Sequence, residues 1–218
     1  MAILLLVRHA LTEATGRRLS GWMPDVHLSE RGREQARSLA ERLRPVRISA
    51  LYSSPLERCR ETAEPLAEAR RLEIRELEDL GEVRYGDWTG RTLAQLSKTK
   101  LWRSVQTTPS AVRFPGGETL LEVQERAVRQ AADIAGAHPG RVVALVSHGD
   151  VIRLLLAHYA GLHVDLFQRL VVSPASVSIV AVPDGAGPGI PRILRVNDAG
   201  GLDDLERPPK MSRGKVGG

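Results

Sequence analysis

The sequence predicts an α/β domain, a three-layer α/β/α sandwich on a mostly parallel central sheet. Two observations carry this. Short β-rich runs alternate with longer amphipathic ones from the first residues to about Asn197. The runs ILLLV and VVALV are also apolar throughout, as strands covered on both faces must be.

The predicted strands are Ile3 to Val7, Ile48 to Tyr52, Val142 to Val146, Val177 to Val182 and Ile193 to Val196. The spacing predicts a helix from Ser29 to Arg44, with Ala36, Leu39, Ala40 and Leu43 on one side. Ser54-Pro55 suits a cap followed by proline in the first helical position, opening a helix to about Ala69. A third helix is expected from Glu118 to Ala135, with Leu121, Val128, Ala131 and Ile134 inward, and a fourth capped by Asp150 and ending at Gly161. Between about residues 81 and 117 the pattern breaks into a stretch rich in Gly, Thr, Trp and Pro, with one short helix from Leu93 to Val105. We read it as a lid insertion over one end of the sheet. A single domain over 1–200 and a flexible tail over 201–218 complete the expectation.

Composition narrows the function classes. No segment reaches the roughly 18 to 20 apolar residues of a membrane span, and the N-terminal apolar run is too short for a leader, so it reads as a buried strand. The single cysteine, Cys59, cannot form a disulfide within the chain and points to a reducing cytoplasm. The net charge of +5 is supplied mainly by arginines that alternate with glutamates, the pattern of a solvated helix face. Aromatics are only 4% of residues, too few to supply the stacking platforms of a nucleic-acid surface, so neither nucleic acid nor membrane is expected as a partner.

Two histidines occupy equivalent places: His9 closes the first strand and His148 closes VVALVSH. Ligands in open α/β sheets bind at the carboxyl ends of strands, so neighbouring strands would bring both imidazoles to one crevice. Arg8 precedes His9, and Gly149-Asp150 follows His148 at a helix start. Arg58 is placed about one turn into the helix after Ser54-Pro55, where free N–H groups and a guanidinium can grip the same anion. Two guanidiniums and two imidazoles around one point suit a tetrahedral dianion and leave no carboxylate cluster for a metal.

These residues resemble the histidine phosphatases, also called the phosphoglycerate mutase-like superfamily. The family's R-H-G appears as Arg8-His9-Ala10, followed by Thr12. Its L-S-x-x-G-x-x-Q-A appears as Leu28 to Ala36, and its S-S-P-L-x-R-x-x-x-T as Ser53 to Thr62. Its E-x-x-x-G-x-W-x-G runs from Glu82 to Gly90, its P-G-G-E from Pro115 to Glu118, and its S-H-G from Ser147 to Gly149. The resemblance implies that His9, neutral at Nε2, attacks phosphorus and becomes phosphohistidine, its other nitrogen held by a backbone carbonyl in the following turn. Arg8, Arg58 and His148 would hold the non-bridging oxygens, and Glu82 would protonate the leaving oxygen.

Thr12, Thr15, Gly21 and Gly149 are further expected substrate contacts, and Ser53 and Trp22 are candidate lining groups, Trp22 more by packing than by binding. His27, His138, His158 and His163 read as structural or exposed. Ala10 and Thr15 stand where the family has glycine and asparagine; a positive φ at Ala10 would strain it. The resemblance implies a phosphatase acting on a small phosphorylated metabolite, with no metal and no cofactor, as a possible homodimer. The insertion is short, which places hydrolysis ahead of a phosphoglycerate mutase-like phosphomutase. A non-catalytic phospholigand-binding protein is the remaining alternative.

Overall fold

A computed structural model describes residues 1–185 and 189–201. The expected tail lies outside the described residues from 202 onward. Six strands form one sheet in the order β3-β2-β4-β1-β5-β6: β1 (Ala2–Arg8), β2 (Ile48–Ser53), β3 (Ile74–Glu76), β4 (Val142–Ser147), β5 (Val177–Val182) and β6 (Arg192–Asp198). β1, β2, β3 and β4 run parallel, and β5 is antiparallel to both β1 and β6. β3, a three-residue edge strand, is not among the predicted strands because IRE carries no apolar run.

The period of two in β1 divides the core. Leu5 and Val7 join Leu51, Ala144 and Val146 against Leu39 and Leu43 from the segment of α1 (Glu30–Arg42) and Ala63 and Leu66 of α2 (Glu57–Arg70). Leu4 and Leu6 face the other way, onto Ala127 and Ala131 of α5 (Leu120–Ala137) and Leu154 and Leu155 of α6 (Gly149–Tyr159). Helices therefore cover both faces, which is the three-layer arrangement the unbroken apolar strands imply.

Three helix starts differ from expectation. α2 begins at Glu57 with Leu56 at the cap, because the Ser54 hydroxyl bonds the His148 ring at 2.8 Å; it also accepts weakly from the Leu56 amide at 3.3 Å. Arg58 thus sits at the second helical position. α5 begins one residue after Thr119, whose hydroxyl and Glu122 make a reciprocal capping box. Its inward face is Leu120, Val123, Ala127, Ala131 and Ile134, while Leu121 is 48% exposed. His148 itself caps α6, and Asp150 lies inside it.

The segment 81–117 holds two short helices in place of one, α3 (Leu93–Leu96) and α4 (Lys100–Thr107), because Thr99 caps a fresh start. Trp88, Leu96, Val105 and Phe114 bury its inner side in the α5/α6 core. Its first residues are fixed by Arg126 of α5, whose side chain is 11% exposed. That guanidinium forks onto both oxygens of Glu118 at 2.9 and 3.1 Å and donates to the carbonyls of Asp79, Gly81 and Glu82 at 2.8, 2.9 and 3.0 Å.

Removing this fork leaves a largely buried carboxylate without its ion-pair partner and takes a donor from three carbonyls. Arg126→Ala is expected to lower unfolding free energy by about 3 kcal/mol, and Arg126→Lys to recover only part of it because an ammonium lacks the planar fork. Urea denaturation measures both; a loss under about 1 kcal/mol for alanine would contradict the assignment.

Candidate active site

β1 and β4 are direct parallel neighbours with Arg8 opposite Ser147, so His9 and His148 leave the sheet side by side. Their rings stand 5.3 Å apart, centre to centre, at 60°. The His9 amide donates to the Ser147 carbonyl at 2.9 Å, which locks the two strand ends together.

The His9 ring is oriented within its own turn. Its Nδ1 lies 2.8 Å from the Ala10 carbonyl, and a carbonyl only accepts, so Nδ1 carries the proton and Nε2 holds a lone pair. Burial first, then the charges of Arg58 and Arg8, push the His9 pKa well below the usual histidine range and keep the ring neutral. Ala10 fits without strain: its φ is negative, its amide donates to Thr62 Oγ1 at 3.0 Å, and its methyl packs with Leu28, Ala36 and Ala175. The positive φ considered for it does not occur.

Arg8 and Arg58 are each tied at one nitrogen and open at another. Arg8 Nη1 donates to Val172 O at 2.6 Å and Arg58 Nη2 to Gly21 O at 2.8 Å. Buried Arg8 Nε and Arg58 Nη1 have no protein acceptor. A side chain at Gly149 would approach Arg8 Nε to 3.2 Å, so glycine there leaves the guanidinium its place.

His148 has no exposed surface. Its Nε2 meets Ser54 Oγ at 2.8 Å, and its Nδ1 is 3.8 Å from Glu82 Oε2. Burial, then Arg58 and His9, lower its pKa well below the ordinary value. Glu82 moves the other way: burial and then the Asp150 carboxylate raise it to about 7, against the pull of Arg58. Near pH 7 the imidazole is therefore neutral, and the carboxyl exchanges its proton across that range. Trp22 Nε1 donates to the Glu82 carbonyl at 2.6 Å beneath the Arg84 guanidinium, so Trp22 packs and positions.

A cavity of about 330 Å³ opens over this cluster, lined among others by Arg8, His9, Thr12, Thr15, Arg58, Glu82 and Gly149. Thr12 and Thr15 hydroxyls are 3.0 Å apart. Three expected contacts are not among the lining groups: His148 is fully buried with its ring on Ser54 Oγ, Gly21 holds Arg58 through its carbonyl, and Ser53 is fully buried with its hydroxyl on Ser54 O. His27 pairs with Glu61, His138 with the Tyr52 hydroxyl, and His163 with Asp165, while His158 packs edge-on against Tyr159, all away from the cavity.

Nine of the described lining residues are not predicted from the sequence, among them the charged or hydroxyl-bearing Arg18, Ser20, Tyr85, Asp150 and Arg153. Asp150 accepts from the Tyr85 hydroxyl and from Arg153 Nη1, both at 2.9 Å. The i, i+3 spacing of Asp150 and Arg153 after Gly149 was the available signal. Among the described residues no three His, Cys, Asp or Glu side chains cluster to hold a metal.

Residues 4–198 match the model of the histidine phosphatase superfamily, branch 1. Phosphoserine phosphatase 1 of Hydrogenobacter thermophilus is 33% identical over 184 residues, covering 83% of this chain and 86% of that one. Glucosyl-3-phosphoglycerate phosphatase of Mycobacterium tuberculosis is 34% identical over 164 residues, 71% of this chain and 73% of that one. The solved structure of Bacillus stearothermophilus YhfR superposes with a TM-score of 0.83 at 30% identity, over 91% and 98% of the two chains.

The ring geometry makes a direct spectroscopic prediction. Nitrogen-15 NMR at pH 6 is expected to show His9 neutral with the proton on Nδ1, whereas solvated histidines are substantially protonated there. An imidazolium at His9 at that pH would contradict the geometry.

Proposed function

The chain belongs to the histidine phosphatase superfamily, and on that premise we propose that it hydrolyses a small phosphomonoester through a phosphohistidine at His9, without a metal. The observation that carries this is the fixed His9 tautomer: the Ala10 carbonyl takes the Nδ1 proton, leaving the Nε2 lone pair beside the open donors of Arg8 and Arg58. In the first step Nε2 attacks phosphorus, the P–O bond to the alcohol breaks, and Glu82 gives its proton to the leaving oxygen. Arg8, Arg58 and neutral His148 stabilise the charge spread over the non-bridging oxygens. In the second, Glu82 takes a proton from water as that water attacks phosphorus, and the P–N bond breaks to release inorganic phosphate. Thr12, Thr15 and Gly149 complete the phosphate and substrate wall.

The segment 81–117 supplies Glu82, Tyr85 and Leu93 to the cavity and serves as its lid. Hydrolysis is favoured over phosphoryl return to a second hydroxyl by the shortness of this segment and by relatives that are themselves named phosphatases. The mutase reading draws on Arg18 and Arg153 beside the cavity, which offer a second anion contact. Cytoplasmic residence, in line with the single buried Cys59, and a homodimeric state are parts of the same proposal.

Release of inorganic phosphate in EDTA is the basic assay. His9→Ala is expected to lose at least about 1,000-fold in kcat; full activity in that variant would sink the proposal. Isomerisation of 3-phosphoglycerate with a bisphosphate primer, outrunning hydrolysis, would assign the mutase reaction.

Glu82 separates substrates by leaving group. Glu82→Gln is expected to cost about 100-fold or more on alkyl phosphates and far less on p-nitrophenyl phosphate, whose leaving oxygen needs no proton. With alkyl substrates wild-type kcat/KM should fall as pH rises through about 7, because the carboxyl loses the proton it donates. Asp150→Asn removes a negative neighbour and should move that limb to lower pH. An unshifted limb would show that another group controls it.

A further inference from the structure

A second cavity of about 320 Å³ adjoins the catalytic one and shares with it the wall made by Leu19, Tyr85, Asp150 and Arg153. Its interior is aromatic. Trp88 and Trp102 stack with ring centres 6.1 Å apart, Phe114 meets Trp88 edge-on at 5.5 Å, and Phe167 adds a further buried ring. Polar side chains line it as well: exposed Gln106 and Gln168, and the Asp150 and Arg153 pair on the shared wall. Gln168 Nε2 bonds the Val105 carbonyl at 3.2 Å, tying α4 across this space.

The direction of the leaving group follows from the site. The phosphoryl oxygens belong at Arg8 and Arg58, so the alcohol oxygen belongs beside Glu82. From Glu82 the same backbone segment leads in three residues to Tyr85, one of the four residues common to both cavities. We propose that the second cavity receives an aromatic ring carried by the leaving alcohol, so that the preferred substrates are phosphomonoesters of ring-bearing alcohols joined by a short linker. A closed cavity of about 150 Å³ holds a benzene ring, so the volume here is enough for a ring. The linker crosses the Tyr85, Asp150 and Arg153 edge, where a hydroxyl or amide finds partners.

The proposal rests on the hydrolytic reading for the orientation of the ester, and its test needs no turnover. Calorimetric titration with (3-phenylpropyl)phosphonate and (3-hydroxypropyl)phosphonate, whose P–C bonds do not hydrolyse, compares a ring with a hydroxyl at equal chain length. The ring compound is expected to bind at least about tenfold more tightly. Gln106→Trp grows an indole into the cavity from an exposed position, and Trp102→Ala removes one stacking face. Each should bring the ratio to within about threefold. Equal affinities in the wild type, or a ratio that neither variant changes, would overturn the proposal. Selective binding without hydrolysis of any ester would count against the phosphatase reading alone; hydrolysis with no ring preference would count against the aromatic subsite alone.

Discussion

Two guanidiniums with little access to solvent, Arg8 at the carboxyl end of β1 and Arg58 at the second position of α2, are the constraint on which the rest of the site depends. Burying such charge is costly unless every donor finds an acceptor. Arg8 and Arg58 each have one nitrogen satisfied by a backbone carbonyl, Val172 O and Gly21 O, and another that no protein group accepts. Burial first, and then their field, holds both neighbouring imidazoles neutral, which a nucleophile requires and an ordinary surface histidine near pH 6 would not provide. It also pulls down the Glu82 pKa, so burial and Asp150 must outweigh it for the carboxyl to keep a proton near neutrality. Acid, nucleophile and anion site are thus tuned by the same few charges.

The fold supplies this arrangement through backbone more than through side-chain reach. Parallel pairing of β1 with β4 sets Arg8 against Ser147, and the His9 amide to Ser147 carbonyl bond extends the ladder one residue into the site. Glu82 is held from α5 and from the loop after β1: Arg126 and Trp22 both donate to its carbonyl, so the acid is fixed at its main chain while its carboxyl, which accepts from the Val83 amide at 3.0 Å, lines the cavity. Gly149 completes the fit by leaving room for Arg8.

Much of this was legible in the sequence, for physical reasons that differ from element to element. ILLLV and VVALV can only be strands buried on both faces, and a histidine at the end of each fixes the crevice once they pair. What the sequence could not reveal was competition for a single side chain. Ser54 looks like a helix cap, yet its hydroxyl bonds His148, and α2 starts later. Asp150 looks like a cap for α6, yet it lies within the helix and binds Tyr85 and Arg153, completing a polar edge that no local pattern announces. Leu121 and Leu120 are equally apolar, and only the Thr119 capping box decides which of them faces the core. Ala10 in place of glycine looked strained because the turn's φ is invisible in a sequence; the turn runs at negative φ and buries the methyl.

The account stands on a covalent bond between His9 Nε2 and phosphorus. Rapid mixing of the enzyme with a radiolabelled phosphate ester, quenching in alkali where phosphohistidine survives, and peptide mapping test it most directly. Label is predicted on His9 alone, forming at least as fast as turnover and lost on brief acid treatment. Turnover at full rate with no labelled enzyme, or label on another residue, would contradict the account.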